Sequence, residues 1–499
     1  MRQERRQLRE HQLRGFLEGR FRAVHERGPP LERRVRLPLA AIGRAAGVLA
    51  GEGGRFVSAF LAERPERSLV VAFALRGELV LLRSSVGAKG QAYASIAIDL
   101  PAARWAEREL HDLEGITPLG HPDLEPILRP EADRFGRRVR GADVFTIPYG
   151  PVRSGVFEAV QFVIDTGGED ILRLDVRPSF KRRSLESRFS GLALADGALL
   201  AERVAGIASV GHAVAFAQAV ERALGVEPPR RAALWRSVLA ELERIANHLD
   251  VSARLAEDPA LAVGHARFAI LKEDVLRLQA RLTGSRFARG VVFPGGVRAE
   301  PSLDLDELVH VLDALEHDLG RDRQLLLRTT SFTDRLIGSG SLDRSTVDAY
   351  GGVGPVARAV GFATDARFER PYAAYGRLGF DVVTREAGDA MARLEVRLGE
   401  IGQSLHLLRQ AIDRLRREQG PIAVVLPEKD GEACGWSEAP QGELLYWVEV
   451  AAGRVERVRI ASPSFRNWPL FAESFRGDVL TDFAFIEHSF GLTPAGADR

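Results

Sequence analysis

Cysteine is nearly absent: Cys434 is the single thiol in 499 residues. That excludes an intramolecular disulfide framework and any metal site built from cysteine alone. Long apolar runs are missing too, and no stretch approaches the roughly 20 residues that a membrane-spanning helix needs. Net charge is close to zero, at +1, so no strong field calls for nucleic acid or an anionic membrane. Neither G-x-G-x-x-G nor G-x-x-x-x-G-K-[ST] occurs, which argues against binding of a dinucleotide or a nucleoside triphosphate by this chain. There is no internal repeat and no low-complexity tract.

With 45% hydrophobic and 27% charged residues, the composition is that of an ordinary globular protein, long enough for two or more domains. Leu8, Leu13, Phe16 and Phe21 predict an amphipathic helix within residues 1–28 that packs on the body or on a partner. Residues 29–128 read as a small α/β domain. Ser68 to Arg83 forms two strands turning at Arg76-Gly77, and Trp105 to Leu113 forms a helix ended near Gly115. Residues 129–142 are charged and poor in large apolar side chains, and read as a linker.

From 143 to 499 the pattern is mainly helical with small peripheral sheets. A strand pair is predicted within Phe145–Leu174, turning at Thr166-Gly-Gly168. Helices are predicted over 197–224, 230–256, 262–283, 303–331 and 387–418. Apolar residues recur there every three or four positions, as in Leu234, Val238, Leu242, Ile245 and Leu249. Strands return at Glu443–Val450 and Val455–Ile460. The fold class is therefore α+β.

His111, Asp112, His121 and Asp123 have a spacing that matches no zinc or di-iron arrangement. Turns at Gly115 and Gly120 and a cap at His121-Pro122-Asp123 explain them better. Lys181-Arg-Arg183 reads as a solvated face or a contact for a partner's loop, and His212 as a histidine satisfied between helices.

Glu107, Arg108, Glu109, Asp112, Gly115 and Gly120-His-Pro-Asp-Leu124 closely resemble the signature of the C subunit of respiratory complex I. The remainder is similar to the D subunit and to the large subunits of energy-converting, group 4 nickel–iron hydrogenases of the formate hydrogenlyase type. The resemblance runs through Ile147–Val152, Phe180–Glu186, His212 with Ala219-Val-Glu221, Glu241–Leu249, Thr283–Phe287 and Pro294–Val297. It continues through Gly388-Asp389, Arg393, Arg397, Ser404, Glu438–Glu443 and Ala461–Asn467. It covers about residues 35–499 and implies C and D bodies fused in one chain.

In that family two C-x-x-C pairs hold the nickel–iron centre. One would lie in Arg203–His212 and the other in Ser489–Arg499. Here Ala205, Ala208, Thr493 and Gly496 stand at the four positions, and methyl, hydroxyl or hydrogen does not replace thiolate. Complex I uses the same cavity for a quinone headgroup, held by a tyrosine after the arginine matching Arg203 and by a histidine. Gly206 and Phe157 fall at those places. Glu158 falls where group 4 hydrogenases carry a proton-relaying glutamate, with a carboxylate merely paired to Arg203 or Lys181–Arg183 as the plain alternative.

The resemblance implies iron–sulfur clusters in a partner subunit, antiporter-like membrane subunits and a place on the cytoplasmic face of the cell membrane. It implies no nucleic acid and no cofactor of this chain's own beyond a quinone in the cavity. A scaffold that kept the fold and lost turnover is the alternative from another class, and a quinone reductase with relocated headgroup contacts is a third.

Overall fold

The computed structural model describes residues 15, 18–64, 66–87, 91–128, 139, 141, 143–153 and 159–499. It divides into two units, one of Met1–Pro130 with Ala349–Gly351 and one of Glu131–Asp348 with Gly352–Arg499.

The first unit is built on a five-stranded sheet: β1 Val24–Arg27, β2 Glu32–Arg36, β3 Arg55–Ala62, β4 Ser68–Leu75 and β5 Glu78–Ser85, in spatial order β1-β2-β5-β4-β3. Only β2 and β5 run parallel. Every residue of β4 is buried, as its unbroken apolar run SLVVAFAL requires of a central strand. The β4–β5 turn places Arg76 at φ +53° and Gly77 at φ +81°, the two left-handed positions of a twist-matched hairpin turn. Helix α1, Ile42–Gly51, buries Ile42, Ala45, Ala46 and Leu49.

Helix α2, Arg104–Glu114, ends at Gly115 in the left-handed region, whose N–H donates to His111 O at 3.0 Å. One expectation is corrected here. The helix foreseen within residues 1–28 has given way by Val24, because Val24–Arg27 pairs with Arg33–Arg36 across a turn at Pro29–Glu32, closed by Glu32 N–H donating to Pro29 O at 3.0 Å. Residues 15 and 18–21 are helical, and the rest of that segment lies outside the described residues. The 129–142 stretch is also outside them, apart from 139, 141 and the neighbouring residues from 143 on.

The second unit begins with three antiparallel strands, β6 Phe145–Tyr149, β7 Gln161–Thr166 and β8 Ile171–Arg177, rather than a pair. At the β7–β8 turn the Thr166 hydroxyl accepts from the N–H of Gly168 at 3.0 Å. The longer helices are α3 Leu194–Ala201, α4 Ser209–Leu224, α5 Arg230–Glu257, α6 Ala262–Thr283, α7 Leu305–Leu327 and α8 Ala390–Leu415. An antiparallel sheet, β9 Gly431–Ala439, β10 Gly442–Ala451 and β11 Arg454–Ala461, precedes the closing helices α9 Pro463–Glu473 and α10 Phe483–Phe490.

Helix α4 lies directly on β9. A Cβ added at Gly435 would stand 2.3 Å from both Ala215 O and Ala219 N, so hydrogen is the only side chain that permits this approach. Phe189, Phe216, Val220, Tyr446, Val448 and Val458 fill the core between α4 and the sheet.

A single helix was expected over 197–224. The chain instead breaks between α3 and α4 and turns by 109°. Among the described residues no single helix is long and apolar enough to cross a membrane. The bent pair would qualify by length and composition, but it is mostly buried in this core.

Candidate functional site

The break at Glu202–Ala208 builds the site. Ala205 is extended (φ −141°, ψ 116°), a short 3-10 turn covers Gly206–Ala208, and α4 starts at Ser209. Breaking the helix leaves carbonyls without an amide partner, and Arg183 takes them up. Its Nη1 donates to Arg203 O at 2.8 Å, and its Nη2 donates to Val204 O at 2.6 Å and to Ala495 O at 3.3 Å. One guanidinium thus joins the two stretches that sequence reasoning set apart, some 290 residues from each other in the chain. Arg183 is therefore not the solvated cation expected of Lys181-Arg-Arg183.

The four positions of interest are all buried. Ala205 and Ala208 present methyl groups. Thr493 caps the Pro494–Gly496 turn, its hydroxyl accepting from Ala495 N at 3.2 Å while its N–H donates to Ser464 Oγ at 3.1 Å. A Cβ on Gly496 would meet Ser462 Oγ at 3.1 Å and Ser464 Cβ at 3.2 Å. No soft or anionic donor stands at any of the four, so the residues present do not fit a nickel–iron centre. Among the described residues no group of three or more His, Cys, Asp and Glu is arranged to hold a metal ion. Cys434 lies buried in β9, paired with Trp447 of β10, and belongs to neither stretch.

His212 is buried on α4 and shares a 2.7 Å hydrogen bond through Nδ1 with the Tyr446 hydroxyl. Burial, helped by the charge of Arg183, lowers its pKa to about 3, so the ring is neutral. Arg203 is exposed; its guanidinium reaches Leu199 O and stands 3.7 Å from Glu202. Gly206 is exposed as well, and a Cβ there would meet only Arg289 Nη2, at 3.6 Å. Glycine offers no hydrogen bond to a quinone carbonyl, and His212 already has its partner in Tyr446. Phe157 and Glu158 lie outside the described residues.

His111, Asp112 and His121 of the first unit are engaged locally, as turn and cap residues. Asp112 accepts from the N–H of Ile127 at 2.7 Å and of Leu128 at 3.0 Å, and His121 Nδ1 accepts from Asp123 N at 3.0 Å. His111 Nδ1 lies 3.1 Å from Ile116 O. Glu107 is fully buried, taking Ser95 Oγ at 2.5 Å and Ile96 N at 2.8 Å.

Many of the remaining motif residues meet in one buried polar frame. Glu241 is held at about 2, because Arg367 and Arg244, with hydrogen bonds from Ser404 and Tyr375, outweigh the burial that would raise it. His248 pairs with Glu400 at 2.8 Å and lies 3.2 Å from Arg397, which in turn donates to Phe490 O at 2.6 Å. Arg358 lies 2.6 Å from Glu400 and 2.8 Å from Glu438.

Sequence reasoning missed two carboxylates. Glu243 on α5 accepts from the N–H groups of Val210 at 2.7 Å and Gly211 at 2.9 Å, the first turn of α4. Burial raises it to about 7, and Glu202 pushes in the same direction. Glu202 is buried, accepts from Gly290 N at 2.7 Å, and is also raised by burial, against Arg203, Arg289 and Arg298. Glu243 lies within the quoted Glu241–Leu249 motif and Glu202 just ahead of Arg203–His212, but no spacing in the sequence marks either as buried.

The comparisons agree with this architecture. Residues 266–429 match the family described as respiratory-chain NADH dehydrogenase, 49 Kd subunit, and residues 51–136 match the corresponding 30 Kd subunit. Formate hydrogenlyase subunit 5 of Escherichia coli (strain K12) is 28% identical over 457 residues, covering 84% of this chain and 79% of that protein. The carbon monoxide-induced hydrogenase of Rhodospirillum rubrum is 31% identical over 349 residues, 69% of this chain and 96% of that one. Among solved structures, a chain of the membrane-bound sulfane sulfur reductase, an archaeal respiratory membrane complex, aligns with a TM-score of 0.68 at 25% identity. It covers 72% of this chain and 99% of its own. The chain belongs to the complex I 49 kDa and group 4 hydrogenase large-subunit family, with a 30 kDa-type C body fused ahead of the D body.

Proposed function

We propose that this chain is the fused C/D-type subunit of a complex I-like, hydrogenase-4-like membrane oxidoreductase, peripheral on the cytoplasmic face of the cell membrane. It forms the redox-coupling cavity beside an iron–sulfur subunit and antiporter-like membrane subunits, and has no nickel–iron centre of its own. One observation carries the reading: Arg183 gathers the two ligand-bearing stretches of the family, yet methyl, hydroxyl and hydrogen stand where thiolates would be needed. The frame of the site is kept and its metal chemistry is not. If NADH or formate is the electron donor, other subunits deliver the electrons, since the chain has no nucleotide fingerprint.

Glu158 is the proton relay that the resemblance assigns to this cavity. Glu158→Gln then lowers proton-coupled activity of the assembled complex, and unchanged activity would leave that residue a structural carboxylate. The reading as a whole is tested by purifying the native assembly through a tag on this chain and identifying what accompanies it. Iron–sulfur and antiporter-like subunits are expected. A chain recovered without them favours the scaffold, and inhibition by quinone analogues favours a quinone reductase.

A further inference from the structure

Glu202 is 1% exposed, yet its two carboxylate oxygens fare differently. Oε1 accepts from Gly290 N at 2.7 Å. Oε2 is buried and accepts no hydrogen bond among the described residues; Arg203 Nη1, at 3.7 Å, stands too far off to donate one. A buried acceptor without a donor is costly, so this oxygen marks a place where a donor comes from outside the fold. Arg203 covers it loosely, with a half-exposed side chain that donates to Leu199 O. Guanidinium groups crowd the same place. A Cβ on Gly206 would meet Arg289 Nη2 at 3.6 Å and otherwise open space, and one on Gly290 would meet Arg298 Nη1 and Leu199 Cδ2, each at 3.9 Å. Arg289 reaches Ser209 Oγ through Nε at 3.5 Å and lies over the Phe287 ring, so its two terminal nitrogens have no acceptor among the described residues. Neither Arg289 nor Arg298 forms an ion pair among those residues. Glu243, the other carboxylate near this turn, is committed to the amides of Val210 and Gly211. Three cations thus face one carboxylate, on a side where Arg203, Gly206 and Arg298 are exposed.

We propose that Glu202, Arg203 and Arg289, with Arg298 at the rim, bind a small oxyanion that carries its own hydroxyl, hydrogen phosphate being the type. The guanidinium groups donate to the anion's oxygens, in the forked geometry that suits such groups. The anion's O–H donates to Glu202 Oε2, the oxygen that no group of the fold serves among the described residues. Gly206, lacking a side chain, leaves the room beside Arg289. An anion without a hydrogen would set its own oxygen against Oε2, two acceptors in contact. The carboxylate therefore selects a protic anion over an aprotic one of similar size and charge. The binding draws on this chain's own side chains and stands whether or not the assembly performs the redox coupling proposed above.

Isothermal titration of the tagged native complex with sodium phosphate and with sodium sulfate, near neutral pH and at fixed ionic strength, tests the site. The two anions are alike in shape, and phosphate alone brings a hydroxyl. Phosphate should bind saturably, one per chain, and sulfate roughly tenfold or more weakly. Arg289→Ala should weaken phosphate by roughly tenfold. Glu202→Gln should bring the two anions to within about threefold, because the carboxamide keeps an acceptor for Gly290 N and offers sulfate a donor. Arg277→Ala, which removes an exposed arginine of α6 paired with Glu273, should leave the affinity unchanged. No saturable phosphate binding, equal affinity for the two anions, or an affinity unmoved by Arg289→Ala would overturn the proposal. The contrast between the two anions on the wild-type complex decides the matter even where a variant does not assemble.

Discussion

Arg183 shows how one side chain defines a site without touching a reactant. Its two terminal nitrogens serve three carbonyl oxygens from two distant stretches, a planar fork that an ammonium does not reproduce. Arg183→Ala should lower the unfolding free energy in a denaturant titration by about 1 to 3 kcal/mol, the cost of leaving backbone carbonyls without their donor. Arg183→Lys should fall between that variant and wild type, since it restores the charge but not the fork.

At His212 and Glu243 the two pKa shifts have opposite pH signatures. The folded value of His212 lies below its ordinary 6.5, so its contribution to stability is present above 6.5 and is lost as pH falls toward about 3. The folded value of Glu243 lies above its ordinary 4.5, so its contribution is present below 4.5 and is lost as pH rises through about 7. Glu243→Gln should accordingly gain in Tm relative to wild type between about pH 5 and about pH 8, with little difference at the acid end. A constant Tm difference across that range would contradict the assigned shift.

At the scale of elements, helix α4 is fixed by contact rather than by its own propensity. Gly435→Ala should push α4 off β9 and cost about 1 to 3 kcal/mol or more, read as a lowered Tm, because the clash is with backbone on both sides. The long helices were legible in the chain: 230–256 and 262–283 became Arg230–Glu257 and Ala262–Thr283, because apolar period and boundary residues agree there. The break before α4 was not legible. Apolar residues continue on both sides of it, and what ends α3 is a hydrogen-bond partner from another part of the chain. The same holds for Val24–Arg27, where pairing with β2 overrides a helical pattern.

At the site, resemblance assigns Ala205, Ala208, Thr493 and Gly496 to the ligand positions, and the burial of all four is what the structure adds. The convergence of the two stretches on Arg183 was not legible in the chain, nor was the burial of Glu202 and Glu243. Those follow from which helix faces meet, and no local spacing encodes that.

On the scale of the whole molecule, a 30 kDa-type body and a 49 kDa-type body share one chain, and the relatives span both hydrogenases and quinone oxidoreductases. On the function proposed here, this chain is separated from the hydrogenases among them by the donor set of one buried group of positions, Ala205, Ala208, Thr493 and Gly496. The most direct measurement is the metal content of the native assembly, purified through this chain and analysed for nickel and iron against chain concentration. The account predicts iron from the partner's clusters and no nickel in proportion to this chain; stoichiometric nickel, with dihydrogen turnover by the same preparation, would contradict it.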